Sequence, residues 1–504
     1  MRSKKAVLNI LASLAMQVVA LICGFIIPKL IIKNYGSDVN GLISSITQFL
    51  AYITLLEAGI GPVIKAALYK PIAAKDKNTI QNILKAAEKF FRVIAGLFII
   101  YIVILSVIYP NIVKEFEFAY TLSLIVIIAI STFAEYFFGM TYKLYLQAEQ
   151  KTYITSIIQL LGYVFNVIAV VILVRLDASV HIVKLAGTLI FVLRPIIQNI
   201  YVKKKYNINL READNTYKLE QKWDGLAQHI AAVIHSNTDV TILTLFAKIT
   251  EVSVYAVYHL VVNGVKSLIQ SFSGGIDAAF GDMLAKGEKD KLNKRFNAYE
   301  VFYFTIITIV YTCTMLLITP FIKVYTSGIT DVNYVRHLFG YLMVIAEFLW
   351  AIRIPYSSLT LAAGHFKQTK KGAWIESITN IVISLILVNK YGIVGVAIGT
   401  GISMLIRTVE FVYHTQKYVL ERDMLNSIKK IFVILLEVIC IVLIVNILPK
   451  VEVVSYTTWI LQALITFGVS AIITLGINAL VYRKELKEIL NIGKNILKKK
   501  TSKQ

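Results

Sequence analysis

Stretches of about 20 or more mostly apolar residues recur along the whole of this chain, and that is the length a helix needs to cross a bilayer. They lie at residues 6–32, 40–68, 91–109, 118–142, 153–174, 180–202, 224–247, 253–281, 299–322, 334–363, 373–389, 392–416, 430–448 and 456–482. Fourteen spans follow, the division at Gly392 being the narrowest. The fold class is therefore an all-α polytopic membrane protein. Composition agrees, with 57% hydrophobic and 16% charged residues against about 45–50% and 25% in soluble domains. Disordered, collagen-like and small disulfide-scaffold classes are excluded by the same figures.

A formal charge of +22 invites a nucleic-acid reading, and the placement of the charge argues against it. Cytoplasmic loops are enriched in Lys and Arg. With the N-terminus inside, 37 of the 52 basic residues fall in inner segments, nine in outer segments and six within spans. The charge is mostly topology, with anionic lipids as a secondary partner. Both termini are expected in the cytoplasm. Cys23, Cys313 and Cys440 sit in separate apolar segments, with no pattern for a metal or a disulfide framework. The first span is longer than a signal-peptide core and has no A-x-A-like site, so it is read as retained. The outer loops are too short to hold a domain.

The first twelve spans repeat at an offset of about 212–214 residues. Lys75-Asp76-Lys77 recurs as Lys289-Asp290-Lys291, and Ala134-Glu135-Tyr136 as Ala346-Glu347-Phe348. Asn166 recurs as Asn380, and Leu193-Arg194 as Ile406-Arg407. Six spans separate equivalent starts, so the repeats run parallel, as in some transporters. The organisation expected is an N-lobe at 1–202, a cytoplasmic linker at 203–222, a C-lobe at 223–418, two extra spans at 419–482 and a basic amphipathic tail at 483–504. Two pseudo-symmetric six-helix lobes plus two helices result. Ile80, Ile83, Leu84 and Ala87 after Asp76, and Leu486, Ile489, Leu490 and Ile496 in the tail, have the spacing of interfacial helices.

At this point the residues resemble a known family. Phe25-Ile26-Ile27-Pro28-Lys29, Asn34-Tyr35-Gly36, Asn40-Gly41-Leu42, Glu57-Ala58-Gly59-Ile60-Gly61 and Leu68-Tyr69-Lys70-Pro71-Ile72-Ala73 carry the resemblance in the first lobe. Thr238-Asp239 and Tyr255 with Tyr258 carry it in the second. The chain is similar to the polysaccharide flippases of the multidrug/oligosaccharidyl-lipid/polysaccharide exporter superfamily. That resemblance implies a bacterial plasma-membrane protein that moves a polyprenyl-pyrophosphate-linked sugar from the inner to the outer leaflet. Alternating access by rocking of the lobes around a central basic cavity is expected with it.

Ionisable groups inside spans are costly, and retained ones usually face a cavity or a partner. The basic set is Lys29, Lys65, Arg194, Lys266, Arg353 and Arg407. A cationic cavity would offset the desolvation of a pyrophosphate through charge-assisted hydrogen bonds, which makes these six the candidate substrate-binding residues. For Lys29 and Lys65, near helix ends, snorkelling to the headgroups is the equal alternative. For the repeat mates Arg194 and Arg407 it is a shared structural anchor.

Asp239, among Ser236, Asn237, Thr238 and Thr241, is the leading candidate for coupling to H⁺ or Na⁺, with Glu57 and Asp277 behind it. An ion pair of Asp239 with Lys266 or Arg353 is the plainer reading. Glu135 and Glu347 read as structural, Glu410 as a helix-face partner of Arg407, and Glu437 as lying outside the transport lobes. Gly59, Gly61, Gly274 and Gly275 are candidate hinges, while Gly395 and Gly399 read as helix packing. No cofactor, metal site or nucleic-acid partner is expected, and the chain is read as a monomer. A drug or cation antiporter of the same superfamily, and a membrane glycosyltransferase or polymerase, are the competing functions. The first should have an anionic or apolar cavity, and the second a sizeable outer loop.

Overall fold

The computed structural model describes residues 2–57, 59–210, 213–214, 226–273, 277–449 and 451–491. All regular structure in these residues is helical. The chain divides into two compact units, Met1–Ala256 and Val257–Gln504. The first contains α1 (Arg2–Tyr35), α2 (Ser37–Ala51), α3 (Ile60–Ala74), α4 (Lys77–Ile112), α5 (Phe118–Ala134), α6 (Met140–Ala148), α7 (Thr152–Arg175), α8 (Val180–Tyr206), α9 (Leu226–Phe246) and the start of α10 (Ile249–Ser273). The second contains the rest of α10, then α11 (Asp277–Ala285), α12 (Lys289–Tyr325), α13 (His337–Ala362), α14 (Lys370–Tyr391), α15 (Ile393–Tyr418), α16 (Leu425–Ile447) and α17 (Tyr456–Val481).

Among the described residues, thirteen segments are long and apolar enough to cross a membrane, and each coincides with an expected span. The fourteenth expected span is α9, a helix of 21 residues interrupted by the polar run His235 to Asp239. At about 1.5 Å per residue it is long enough to span. Cysteines placed at Asn207 and Lys248, in a background without Cys23, Cys313 and Cys440, are expected to react with an impermeant thiol reagent from opposite sides of the membrane. Reaction from one side would take α9 out of the membrane and reverse the parity of everything after it.

Three local departures from simple spans matter. The second span is not one helix: α2 runs into a 3₁₀ turn at Tyr52–Glu57, and Gly59, at φ +72°, opens α3 in the left-handed region. The fourth contains a π turn at Glu135–Gly139. The segment from Lys77, expected as a separate interfacial helix, is the beginning of the 36-residue α4. Its apolar stripe of Ile80, Ile83, Leu84 and Ala87 is buried in the protein. Asp76 starts this helix, its carboxylate accepting from the Thr79 hydroxyl and backbone N–H. Those bonds hold its carboxyl below the usual carboxylate range.

Lipid-facing helices invert the soluble pattern, placing small and polar residues inside and large apolar ones outside. The helix α17 shows this clearly. Thr466, Ser470, Thr474 and Asn478, four residues apart, are buried, while Leu464, Ile472 and Leu480 are exposed. The inner stripe lies on α12, where Asn478 donates to Thr305 at 2.9 Å and Cys313 to Ser470 at 3.4 Å. The repeat is visible in packing as well. In the first unit Asn166 of α7 lies against Gly187 of α8, where an added Cβ would meet its oxygen at 2.6 Å. In the second, Gly399 of α15 faces Ser384 and Asn380 of α14, and Asn380 donates to Thr400 at 3.2 Å. Gly395 and Gly399 therefore pack helices, since any side chain there would collide with α14.

Candidate functional site

In the first unit the polar residues of α9 find their partners on α2, on the 3₁₀ turn that follows it and on α10. Ser45 shares a 2.6 Å hydrogen bond with Thr244, and Tyr52 a 2.8 Å bond with Thr241. Gln48 donates to Asn237, and Asn40 donates to Ser253 at 2.8 Å. The α2 residues recur at helical spacing, so one face of α2 is polar and matches the polar face of α9. Gly41 lets α2 approach α10, because a Cβ there would sit 2.0 Å from the Ile249 carbonyl oxygen. Asp239 is buried beside this seam and accepts a 3.0 Å hydrogen bond from Tyr255. The result is a buried carboxylate held by a tyrosine hydroxyl beside a seam of hydroxyl and amide groups, a setting suited to H⁺ or to a hard monovalent cation.

Glu57, the second acidic candidate, ends the 3₁₀ turn and accepts from Tyr136 in the π turn. It thus stands next to the break at Gly59. Gly61 lies in the first turn of α3, where an added Cβ would stand 3.4 Å from the Leu144 side chain, an ordinary contact distance. Gly274 and Gly275 lie outside the described residues, as does the side chain of Asp277.

The six basic candidates separate into two groups. In the second unit all three are held by carboxylates. Lys266 lies 3.0 Å from Glu347 and 4.5 Å from the Trp350 ring centre. Arg353 meets Glu376 at 2.6 Å, the other oxygen of Glu376 lies 3.5 Å from Arg407, and Arg407 meets Glu410 at 2.5 Å. That chain of alternating charges joins α13, α14 and α15, and it is locally neutral. Arg407 also donates to the Thr369 carbonyl and lies over the Phe411 ring. Lys266 has Glu347 beside it and Arg353 has Glu376.

In the first unit the pattern differs. Lys65, on α3, is half-buried and makes no ion pair among the described residues. Arg194 stacks on Phe191 and Tyr163, at 4.1 and 5.6 Å, and its Nε has no hydrogen-bond partner among the described residues. It lies on Gly162 of α7, where any larger residue would strike its side chain. Lys29 is half-buried on α1.

One buried cluster is not apparent from the sequence pattern of charges. Glu300 of α12 is 0% exposed and is gripped by Lys430 and by Arg422, the latter at 3.1 Å. Its other oxygen accepts from Tyr356 and from Ser427, the latter at 2.7 Å. By sequence Lys430 and Arg422 count as inner-loop charges, yet they anchor α16 and its preceding loop to α12. A signal does exist in the spacing. Glu300 falls four residues from both Phe296 and Phe304, which puts it on the buried face of the helix.

No protein-family profile and no curated protein sequence matches this chain. Solved structures do. The lipid II flippase MurJ in an inward closed conformation aligns with TM-score 0.65 at 14% identity, over 93% of this chain and 98% of that one. An inward-facing multidrug resistance MATE family transporter of the MOP superfamily aligns with TM-score 0.62 at 14% identity, over 82% and 98%. A MOP superfamily transporter from Pyrococcus furiosus, described as having a binding pocket of reverse polarity, aligns with TM-score 0.56 at 13% identity, over 82% and 96%. This multi-pass chain therefore has the fold shared by the lipid II flippase MurJ and the transporters of the MOP superfamily.

Proposed function

We propose that this protein is a flippase that moves a polyprenyl-pyrophosphate-linked sugar, a precursor of cell-surface polysaccharide, from the inner to the outer leaflet of a bacterial plasma membrane. The observation that carries the reading is the extent of the fold match. An alignment over 93% of the chain must take in part of α16 and α17, whereas one over 82% leaves room to omit both. The cations support it. Moving a pyrophosphate out of water costs several kcal/mol per charge even after relaxation, and Lys65 and Arg194 are half-buried cations whose charge no described carboxylate takes up. They are the residues best placed to meet the headgroup while the lipid tail stays in the bilayer. Alternating exposure of that site to the two faces completes the cycle. An inside-negative potential favours outward movement of the anion by about 2.3 kcal/mol per charge per 100 mV, and an ion at Asp239 resets the carrier.

The second reading is an antiporter of organic cations. Glu57 and Asp239, both within the first unit, favour it because a carboxylate attracts such a substrate. Vesicles containing the purified protein separate the two. Lys65→Ala and Arg194→Ala are each expected to slow transfer of a labelled lipid-linked sugar more than tenfold with the melting temperature unchanged. Asp239→Asn is expected to transfer the sugar but to ignore an imposed ion gradient. Wild-type rates in both cation variants, together with uptake of an organic cation, would replace the first reading by the second.

A further inference from the structure

The helices α16 and α17 stand outside the internal repeat, and α16 carries an acidic residue that the transport scheme leaves unused. Glu437 lies about 18 Å along the helix axis from the start of α16 and about 15 Å from its end, so it sits near the middle of that helix. It is 1% exposed, and its Oε1 has no hydrogen-bond partner among the described residues. The hydroxyl of Tyr482, just past the end of α17, is likewise unpartnered. Glu437, Tyr482, Lys430 and Asn478 line one small cavity of about 10 Å³, room for a single water molecule. Thr308 of α12 faces the carboxyl outside ordinary hydrogen-bond geometry.

This cavity is not isolated. Lys430 passes directly to Glu300, and Glu300 to Arg422. Arg422 and Gln416 in turn line an open pocket of about 490 Å³ at the α15–α16 loop. Polar groups thus run from that pocket, through the Arg422–Glu300–Lys430 cluster, to the cavity beside Glu437. Glu300 carries one negative charge against two positive ones, Lys430 and Arg422. Glu485, half-exposed in the helix 483–491, adds a second carboxylate near Lys430 and Tyr482.

We propose that Glu437 is a proton-binding site that opens on this cavity. Protonated, the carboxyl needs no counter-charge, which matches its setting without an ion pair among the described residues. When the O–H bond breaks, the proton leaves through the cavity by way of Tyr482, whose hydroxyl both accepts and donates, and the carboxylate faces Lys430 across the cavity. Both states are thus accommodated without a cation entering from outside. An isolated buried carboxylate would have only the neutral state open to it. In the flippase reading, on which this last step rests, the proton at Glu437 is a second coupling proton, needed alongside the ion at Asp239 for transport to respond to a pH gradient.

Two measurements test the proposal separately from the substrate. Full-length protein in lipid nanodiscs is expected to show, by infrared difference spectroscopy, a protonated-carboxyl band at neutral pH that disappears in alkaline buffer. Glu437→Gln is expected to lack it, and Glu437→Asp to shift it should the glutamine variant fail to fold. Tyr482→Phe, which removes the hydroxyl lining the cavity opposite Glu437, is expected to slow exchange of that proton for deuterium several-fold. Identical spectra for wild type and a folded Glu437→Gln would overturn the proton site. In vesicles, Glu437→Gln is expected to lose stimulation by a pH gradient. If the band is present but stimulation of sugar transfer is unchanged, the site stands and its link to the flippase cycle falls.

Discussion

Glu300→Ala is expected to destabilise the protein by about 3–5 kcal/mol, the range found when one partner of a buried ion pair is removed. The reason is what remains behind. Lys430 and Arg422 keep their charges in a place where Glu300 was fully buried and supplied both with a counter-charge. Arg422 retains Gln416 and Asn297 as acceptors, at 2.5 and 2.7 Å, and Lys430 retains Asn297 at 2.8 Å. Neutral acceptors hold a cation less well than a carboxylate. Because folded proteins are stable by only about 5–15 kcal/mol, the loss should be visible as a lower melting temperature and less monodisperse protein after extraction. Glu300→Gln together with Lys430→Met should recover part of it, since one stranded charge is removed along with its partner. A melting temperature unchanged by Glu300→Ala would show that the cluster does not hold α16 to the second unit.

The chain Arg353–Glu376–Arg407–Glu410 yields the second large effect, and it bears on function as well. Glu376→Leu should cost about 3–5 kcal/mol, because Arg353 loses the carboxylate at 2.6 Å while Arg407 keeps only Glu410 and a backbone carbonyl. Arg353→Leu combined with Glu376→Leu should lie much closer to wild type, as replacing both members of a buried pair by apolar residues often does. Glu410→Gln should cost less than Glu376→Leu, since Arg407 keeps Glu376 and the Glu410 side chain is partly exposed. A double variant no more stable than Glu376→Leu would show that a stranded Arg353 charge is not the source of the loss. The same double variant decides what Arg353 does. If it still transfers the lipid-linked sugar at the wild-type rate, Arg353 is a structural ion-pair residue and the headgroup is met elsewhere, as the open charges of Lys65 and Arg194 imply.

The breaks in the helices were only partly legible. Gly59 stood out as a glycine inside an apolar run, and it adopts the left-handed backbone that glycine tolerates at little cost. The 3₁₀ turn before it and the π turn at Glu135–Gly139 have no such marker. They arise where Glu57 and Glu135 reach Tyr136 and Lys143 respectively, at 79 and 8 residues' separation. The same limit applied to α4. Its amphipathic first turns suggested a helix resting on the membrane surface, whereas the stripe is covered by protein and continues straight into the span.

What the sequence by itself determined was the set of membrane-crossing helices and their internal repeat. In lipid each backbone must satisfy its own hydrogen bonds locally, so twenty apolar residues specify a helix without reference to any other part of the chain. The repeat mates Asn166 and Asn380 then both reach the following helix, Asn166 at Gly187 and Asn380 at Thr400, because the same local pattern was written twice. Only the tertiary structure decided which intramembrane charges are neutralised. Lys266 finds Glu347 at a separation of 81 residues, and Lys430 finds Glu300 at 130. The cost of a charge in a membrane depends on whether an opposite charge lies within a few ångströms, and a neighbour at that distance is created by folding.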